Sequence, residues 1–277
     1  VHSYIVLLAL VLIPQSGLAQ RPPPEMERGL HLPTPRHGAD APVDRAWAPR
    51  LPAAERDLLL AARNGAPQAM LDLLAKGANP RARDESGDGT ASLAVRSGNL
   101  SALRVALSSG ADPDVVGRGG LTPMLGAVIA GDVRMVEALD RAGANLEARG
   151  GTGNTPLHMA AALDRVELMA YLLANGADAQ ALDRLGRNVL AVAASFGAVG
   201  VAEYLLDQGL DVHAVGRDHL TPIQWALRYR RKPMVELLLA YGADAGVMSV
   251  DIFRDPIVEL PPRRPRTAAP PPPRFPT

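Results

Sequence analysis

Two glycine-rich runs, Gly117-Arg118-Gly119-Gly120 and Gly150-Gly151-Thr152-Gly153, are where this chain comes nearest to a chemical motif. Consecutive glycines let backbone N–H groups close around an anion, as in a phosphate loop. Neither run follows a buried strand or ends in Gly-Lys-Ser/Thr, the context such a loop requires. They recur 33 residues apart, which fits a repeated turn better. His31 and His37 lie in a proline-rich stretch, and His158, His213 and His219 lack the spacing of metal ligands. Cysteine is absent, which removes disulfides, thiolate metal sites and a cysteine nucleophile together. Ser92, Ser97 and Ser195 have no neighbouring base and no nucleophile-elbow context, while Asp183 and Glu203 fall where a turn and an exposed helix face would place them. These residues predict no enzyme, no cofactor and no metal site.

The elements around these residues are more informative. Hydrophobic residues make up 47% of the chain and aromatics only 4%, so the core must come from Leu, Ala, Val and Met, a composition suited to packed helices. Residues 153–173 read as a turn, Thr155-Pro156-Leu157-His158-Met159-Ala160, and two helices, closing in Gly176-Ala177-Asp178. The ending recurs every 33 residues, at Gly77-Ala78-Asn79, Gly110-Ala111-Asp112, Gly143-Ala144-Asn145, Gly209-Leu210-Asp211 and Gly242-Ala243-Asp244. Ala61, Ala94, Ala127, Ala160, Ala193 and Ala226 keep the same phase in the first helix of each copy. A glycine in the left-handed conformation closes the second helix, and the alanine allows first helices to approach closely. The pairs Leu73-Leu74, Ala106-Leu107, Ala138-Leu139, Leu172-Leu173, Leu205-Leu206 and Leu238-Leu239 are expected to supply the second helix's apolar face. Pro67 and Pro233 sit at starts of second helices, where a missing N–H does no harm.

The 33-residue period, Thr122-Pro123, Thr155-Pro156-Leu157-His158 and Thr221-Pro222, and the Gly-Ala-Asp/Asn endings resemble the ankyrin repeat over residues 53–248. The resemblance implies an all-α repeat solenoid of six ankyrin-like repeats, each a β-turn plus a helix-turn-helix, with polar outer faces on the first and last copies. Departures fall at the turns: Asn188-Val189 stands for Thr-Pro, His219 replaces the glycine found at Gly87, Gly120, Gly153 and Gly186, and Thr90 is displaced by one position. In such repeats the turn tips and first helices line a concave face used for binding. Matched one position at a time, that face gives Arg83, Glu85 and Arg96, then Arg118, Ile129, Asn154 and Leu163, then Arg184, Leu185, Arg187 and Phe196, and finally Arg217, Arg228 and Tyr229. Arginine and aromatic side chains are common interface anchors, so a protein partner with an acidic or mixed surface is implied. The basic run Arg228-Tyr229-Arg230-Arg231-Lys232 could touch an anionic surface, but helix spacing would spread its side chains over more than one face.

Outside the repeats, the apolar run at residues 4–13 and the small-residue site ending at Ala19 read as a cleaved export signal over residues 1–19. Gln20 stands where a lipid anchor would need cysteine. Residues 20–52 are expected to form a disordered proline-rich leader containing Trp47, residues 53–250 the repeat domain, and residues 251–277 a disordered Pro/Arg-rich tail of polyproline II character. Charge balances at 29 basic against 29 acidic residues, so no global field favours nucleic acid or a membrane. The expectation is an exported bacterial monomer, periplasmic or secreted, that binds another protein as scaffold, inhibitor or immunity-type protector. The alternatives are an envelope protein touching anionic polymer through its tail, and an enzyme whose site is assembled across repeats.

Overall fold

The computed structural model describes residues 51–244 apart from Thr152 and Asp218. The segment expected to direct export, the leader up to residue 50 with its Trp47, residues 245–250 of the expected repeat domain, and the tail lie outside the described residues. Six helix pairs follow one another: α1 (Ala53–Arg63) and α2 (Pro67–Ala75), α3 (Thr90–Ser97) and α4 (Leu100–Ser108), α5 (Pro123–Ala130) and α6 (Val133–Arg141), α7 (Pro156–Ala162) and α8 (Val166–Ala174), α9 (Val189–Phe196) and α10 (Val199–Asp207), α11 (Pro222–Arg228) and α12 (Lys232–Ala240).

Each helix boundary has a local cause. Thr122, Thr155 and Asn188 hold extended backbone at the N-caps of α5, α7 and α9, and their side-chain oxygens accept from the N–H groups of Leu125, His158 and Ala191. At α11 the Gln224 side chain reaches back to accept from the Thr221 N–H at 2.8 Å. Asn188 therefore replaces threonine without loss of the cap, and its Nδ2 adds a bond to the Ala214 carbonyl in the next copy. Second helices stop where Gly77, Gly110, Gly143, Gly176, Gly209 and Gly242 take φ between 83° and 92°, a region that costs other residues roughly 1–2 kcal/mol. The Asn or Asp two residues later has its own reason. Asn79, Asp112, Asn145, Asp178 and Asp211 each accept from the N–H two residues ahead, so the same small turn is rebuilt at every copy.

First helices pack on first helices of the next copy, and second on second. Of the in-phase alanines, Ala61 is 8% exposed and the other five are fully buried. On the second helices Leu139, Leu172, Leu205 and Leu238 are fully buried, as is Ala106. One predicted pair is out of register. Leu139 keeps the 33-residue phase, so its partner position is Asp140 and not Ala138, and Asp140 accepts from the Tyr171 hydroxyl of the next copy at 2.7 Å. The outer side of the first pair also departs from expectation, because Leu60 and Leu71 are 52% and 45% exposed. Leu60 keeps the phase of Leu93, which is 2% exposed, but no described first helix precedes α1 to cover it.

The glycine runs are explained by packing between turns. Gly151 donates its N–H to the Gly120 carbonyl at 3.0 Å. A Cβ on Gly120 would lie 2.6 Å from the Gly151 N and Cα, and one on Gly151 would lie 2.9 Å from the Gly119 carbonyl oxygen. Two turn backbones touch here with no room for side chains, which is a structural use of glycine. His219 occupies the phase of the turn glycines and takes φ of 57° itself.

Candidate protein-binding face

The turn tips are pinned from inside by their own carboxylates. Asp84 Oδ1 accepts from the N–H groups of Ser86 and Asp88, at 2.8 and 3.0 Å. Asp88, 3% exposed, pairs with the Arg96 guanidinium and accepts from the Arg118 N–H of the next turn. Asp114 and Glu147, one repeat apart, accept from the N–H groups of Asn145 and Asp178 in the following copies. Arginines brace the same region: Arg149 Nη1 donates to the carbonyls of Gly153 and Leu182, and Arg184 Nη1 to that of Gly151.

On this frame the expected binding residues separate by exposure. Arg83 is exposed and pairs with Asp112 at 3.2 Å, and Glu85, Arg118, Arg184 and Arg217 are exposed at turn tips. Leu185 is 59% exposed, beside Arg184. Ile129 and Asn154 are half-buried. Leu163, Phe196 and Tyr229 keep one 33-residue phase at the C-terminal ends of α7, α9 and α11, and all three are half-buried. The copies before them carry Ser97 and Ala130 at that phase, so a larger apolar row begins at Leu163.

Arg187, expected among the partner contacts, is instead 8% exposed. Its Nη2 and Nε meet Asp183 Oδ2 at 2.7 and 2.8 Å, and its Nη1 donates to Ser195 Oγ at 2.9 Å. Asp183 Oδ1 also accepts from the N–H groups of Leu185 and Arg187. The guanidinium lies 5.1 Å from the centre of the Trp225 ring. The exposed Arg228 sits over the same ring at 5.5 Å, and Tyr229 stacks on it with centroids 5.7 Å apart. Trp225 is 6% exposed, so Arg187 acts behind the face by holding the ring that carries Arg228 and Tyr229. Sequence reasoning passed over Trp225 because its phase is that of Leu93, Met159 and Val192, all buried.

The basic run around Arg228 is divided among different tasks. Arg230 takes φ of 53° at the turn between α11 and α12. Arg231 reaches back to donate to the Ser195 carbonyl at 3.1 Å, placing its charge at the C-terminus of α9, and burial lowers its pKa. His158 lies wholly inside, with Nδ1 2.8 Å from Thr155 Oγ1 and its Nε2 without a hydrogen bond. Burial lowers its pKa, the nearby Asp183 charge opposing the shift. Ser195 Oγ donates to the Val192 carbonyl and faces Arg187, so no base accompanies it.

Among the described residues no group of three or more His, Asp or Glu is arranged to hold a metal, and no helix is long and apolar enough to cross a membrane. The comparison with curated proteins returned no match. The family model for ankyrin repeats matches three overlapping stretches, residues 91–183, 126–215 and 157–249. Ankyrin repeats are in general protein–protein interaction modules, and their helix pairs and turns are those seen here. With more than half of its length covered by that model, the chain belongs to the ankyrin-repeat family.

Proposed function

We propose that this chain is a six-repeat binding module that captures another protein on the face formed by its turn tips and first helices. The observation that carries this reading is the row Leu163, Phe196 and Tyr229, half-exposed and in phase, with the outward Leu185 and with Arg184 and Arg217 at the adjacent tips. A few large apolar and aromatic side chains ringed by arginine form the usual composition of an interface centre. Such a module works by occupying a partner's surface, as a scaffold, inhibitor or immunity-type protector, and needs no reaction of its own. We further place it outside the cytoplasm, on the strength of the apolar run at residues 4–13 and the small-residue site at Ala19.

The test is affinity capture from the source's own envelope fraction, comparing the wild-type chain with a Leu163→Ala, Phe196→Ser variant. Both substitutions introduce residue types that the chain itself uses at this phase, Ala130 and Ser97, so helical content should be retained. A partner lost by the variant supports the reading. A partner retained at full strength moves the site to the second-helix side or to the termini.

A further inference from the structure

Basic and acidic side chains are equal in number in this chain, 29 of each, but the turns use them differently. The carboxylates of Asp84, Asp88 and Asp183 point back into the structure, where they accept from backbone N–H groups of their own or the next turn. Donors held this way partly neutralise each carboxylate and fix it away from solvent. Among the tip arginines Arg187 is buried, and in the first tip the exposed residue at the outer position is Glu85, but later tips carry arginine there. Arg118, Arg184 and Arg217 hold the same position at three tips and are exposed, and neither Arg184 nor Arg217 forms an ion pair with a described residue. A chain without net charge thereby presents exposed arginine at its later tips, with the exposed Leu185 beside Arg184 in sequence.

We infer that the partner offers an extended acidic segment, with carboxylates at every third residue and an apolar side chain between them, laid along the tips and the Phe196–Tyr229 row. This deepens the protein-binding reading above and rests on it. The spacing follows from geometry: packed helices lie about 8–10 Å apart, and a chain extended in the polyproline II form advances about 3.1 Å per residue with three residues per turn, so every third side chain faces a successive tip. A helical segment would place its carboxylates less well, since a rise of about 1.5 Å per residue needs roughly six residues per tip. The tip position between Arg118 and Arg184 is Gly151, and Arg184 leans onto its carbonyl at 3.2 Å. The tightest carboxylate pairing is therefore expected at Arg184 and Arg217, next to the exposed Leu185.

The test uses fluorescence anisotropy with a short synthetic peptide carrying glutamate at every third position and one central leucine. A second peptide has glutamine for each glutamate, and heparin competes as a non-protein polyanion. The wild-type protein should bind the acidic peptide with an affinity that falls as salt rises. The double variant Arg184→Glu, Arg217→Glu should bind it at least about tenfold more weakly, while Arg104→Glu, on the exposed side of α4, should leave binding unchanged. The inference is overturned by no binding of the acidic peptide, by equal binding of the glutamine peptide, by preference for heparin, or by an unaffected double variant. If Phe196→Ser weakens the glutamine peptide while charge reversal does nothing, the face stands and only the acidic partner falls. If neither change matters for any peptide, the binding face itself is misplaced.

Discussion

Gly120→Ala is the substitution that separates packing from backbone conformation most cleanly. Gly119 and Gly120 both have φ of 72°, so alanine at either should cost roughly 1–2 kcal/mol for the left-handed backbone. Their surroundings differ. A Cβ on Gly119 meets nothing within 4 Å, whereas on Gly120 it would lie 2.6 Å from two backbone atoms of Gly151. Backbone cannot rotate away as a side chain could, so the turns must separate. Separation costs about 1–3 kcal/mol of overpacking strain and weakens the 3.0 Å bond from Gly151 N–H to the Gly120 carbonyl, worth about 1 kcal/mol. Gly120→Ala should therefore destabilise by roughly 2–5 kcal/mol and Gly119→Ala by roughly 1–2. Urea unfolding followed by far-ultraviolet circular dichroism measures both, and a shift in midpoint at constant slope is the signature sought. Equal losses for the two variants would refute the backbone contact between these turns.

The remaining predictions use the same assay unless stated. Asp183→Asn should cost about 3–5 kcal/mol, because the Arg187 guanidinium would be left buried without its counter-charge; a loss below about 1 kcal/mol would mean that water reaches the pair. His158 has a folded-state pKa below its ordinary 6.5, so the folded state resists protonation more than the unfolded one. Stability should be full above that value and fall as the pH is lowered through and below it, and His158→Gln should flatten the slope; an unchanged slope would remove His158 as its cause. Asp164 and Arg230 both take φ of 53° in a phase where Gly65, Gly98, Gly131 and Gly197 stand. Arg230→Gly should stabilise by roughly 0.5–1 kcal/mol, but Asp164→Gly should give no gain, because Asp164 accepts from the Val201 N–H at the start of α10 at 2.8 Å. Leu172→Ala should cost about 2–5 kcal/mol, and a value near zero would contradict the second-helix packing.

The period was legible because each repeated residue meets a requirement within its own copy. The six closing glycines satisfy a backbone angle, the alanines a close helix approach, and the Asn/Asp residues a two-residue turn. Asymmetric features were harder to read. Arg187 looks like a tip residue in sequence, and its burial depends on Ser195 and on Trp225 in the next copy, whose phase belongs to core residues elsewhere. Ala138-Leu139 satisfies the apolar pair by residue type but not by strict phase, so nothing in the sequence marks Asp140 as the partner of Tyr171. The exposed Leu60 follows from position at the start of the stack, which a periodic pattern does not encode, whereas Leu71 stands at the phase of Arg104, Glu137, Glu203 and Glu236, where the pattern itself leaves the side chain outside. The outward Arg118, Arg184 and Arg217 and the inward Asp84, Asp88 and Asp183 carry equal weight in composition, and only exposure and hydrogen bonding separate them.

The central claim is that a protein partner sits against the turn tips and first helices. Site-specific photo-cross-linking tests it most directly, with the reactive side chain placed at position 196 on α9 or, in a second preparation, at position 166 at the start of α8. The account predicts a covalent adduct with the captured partner from position 196 and none from position 166. Adducts from position 166 with none from 196 would contradict it and place the partner on the second-helix side.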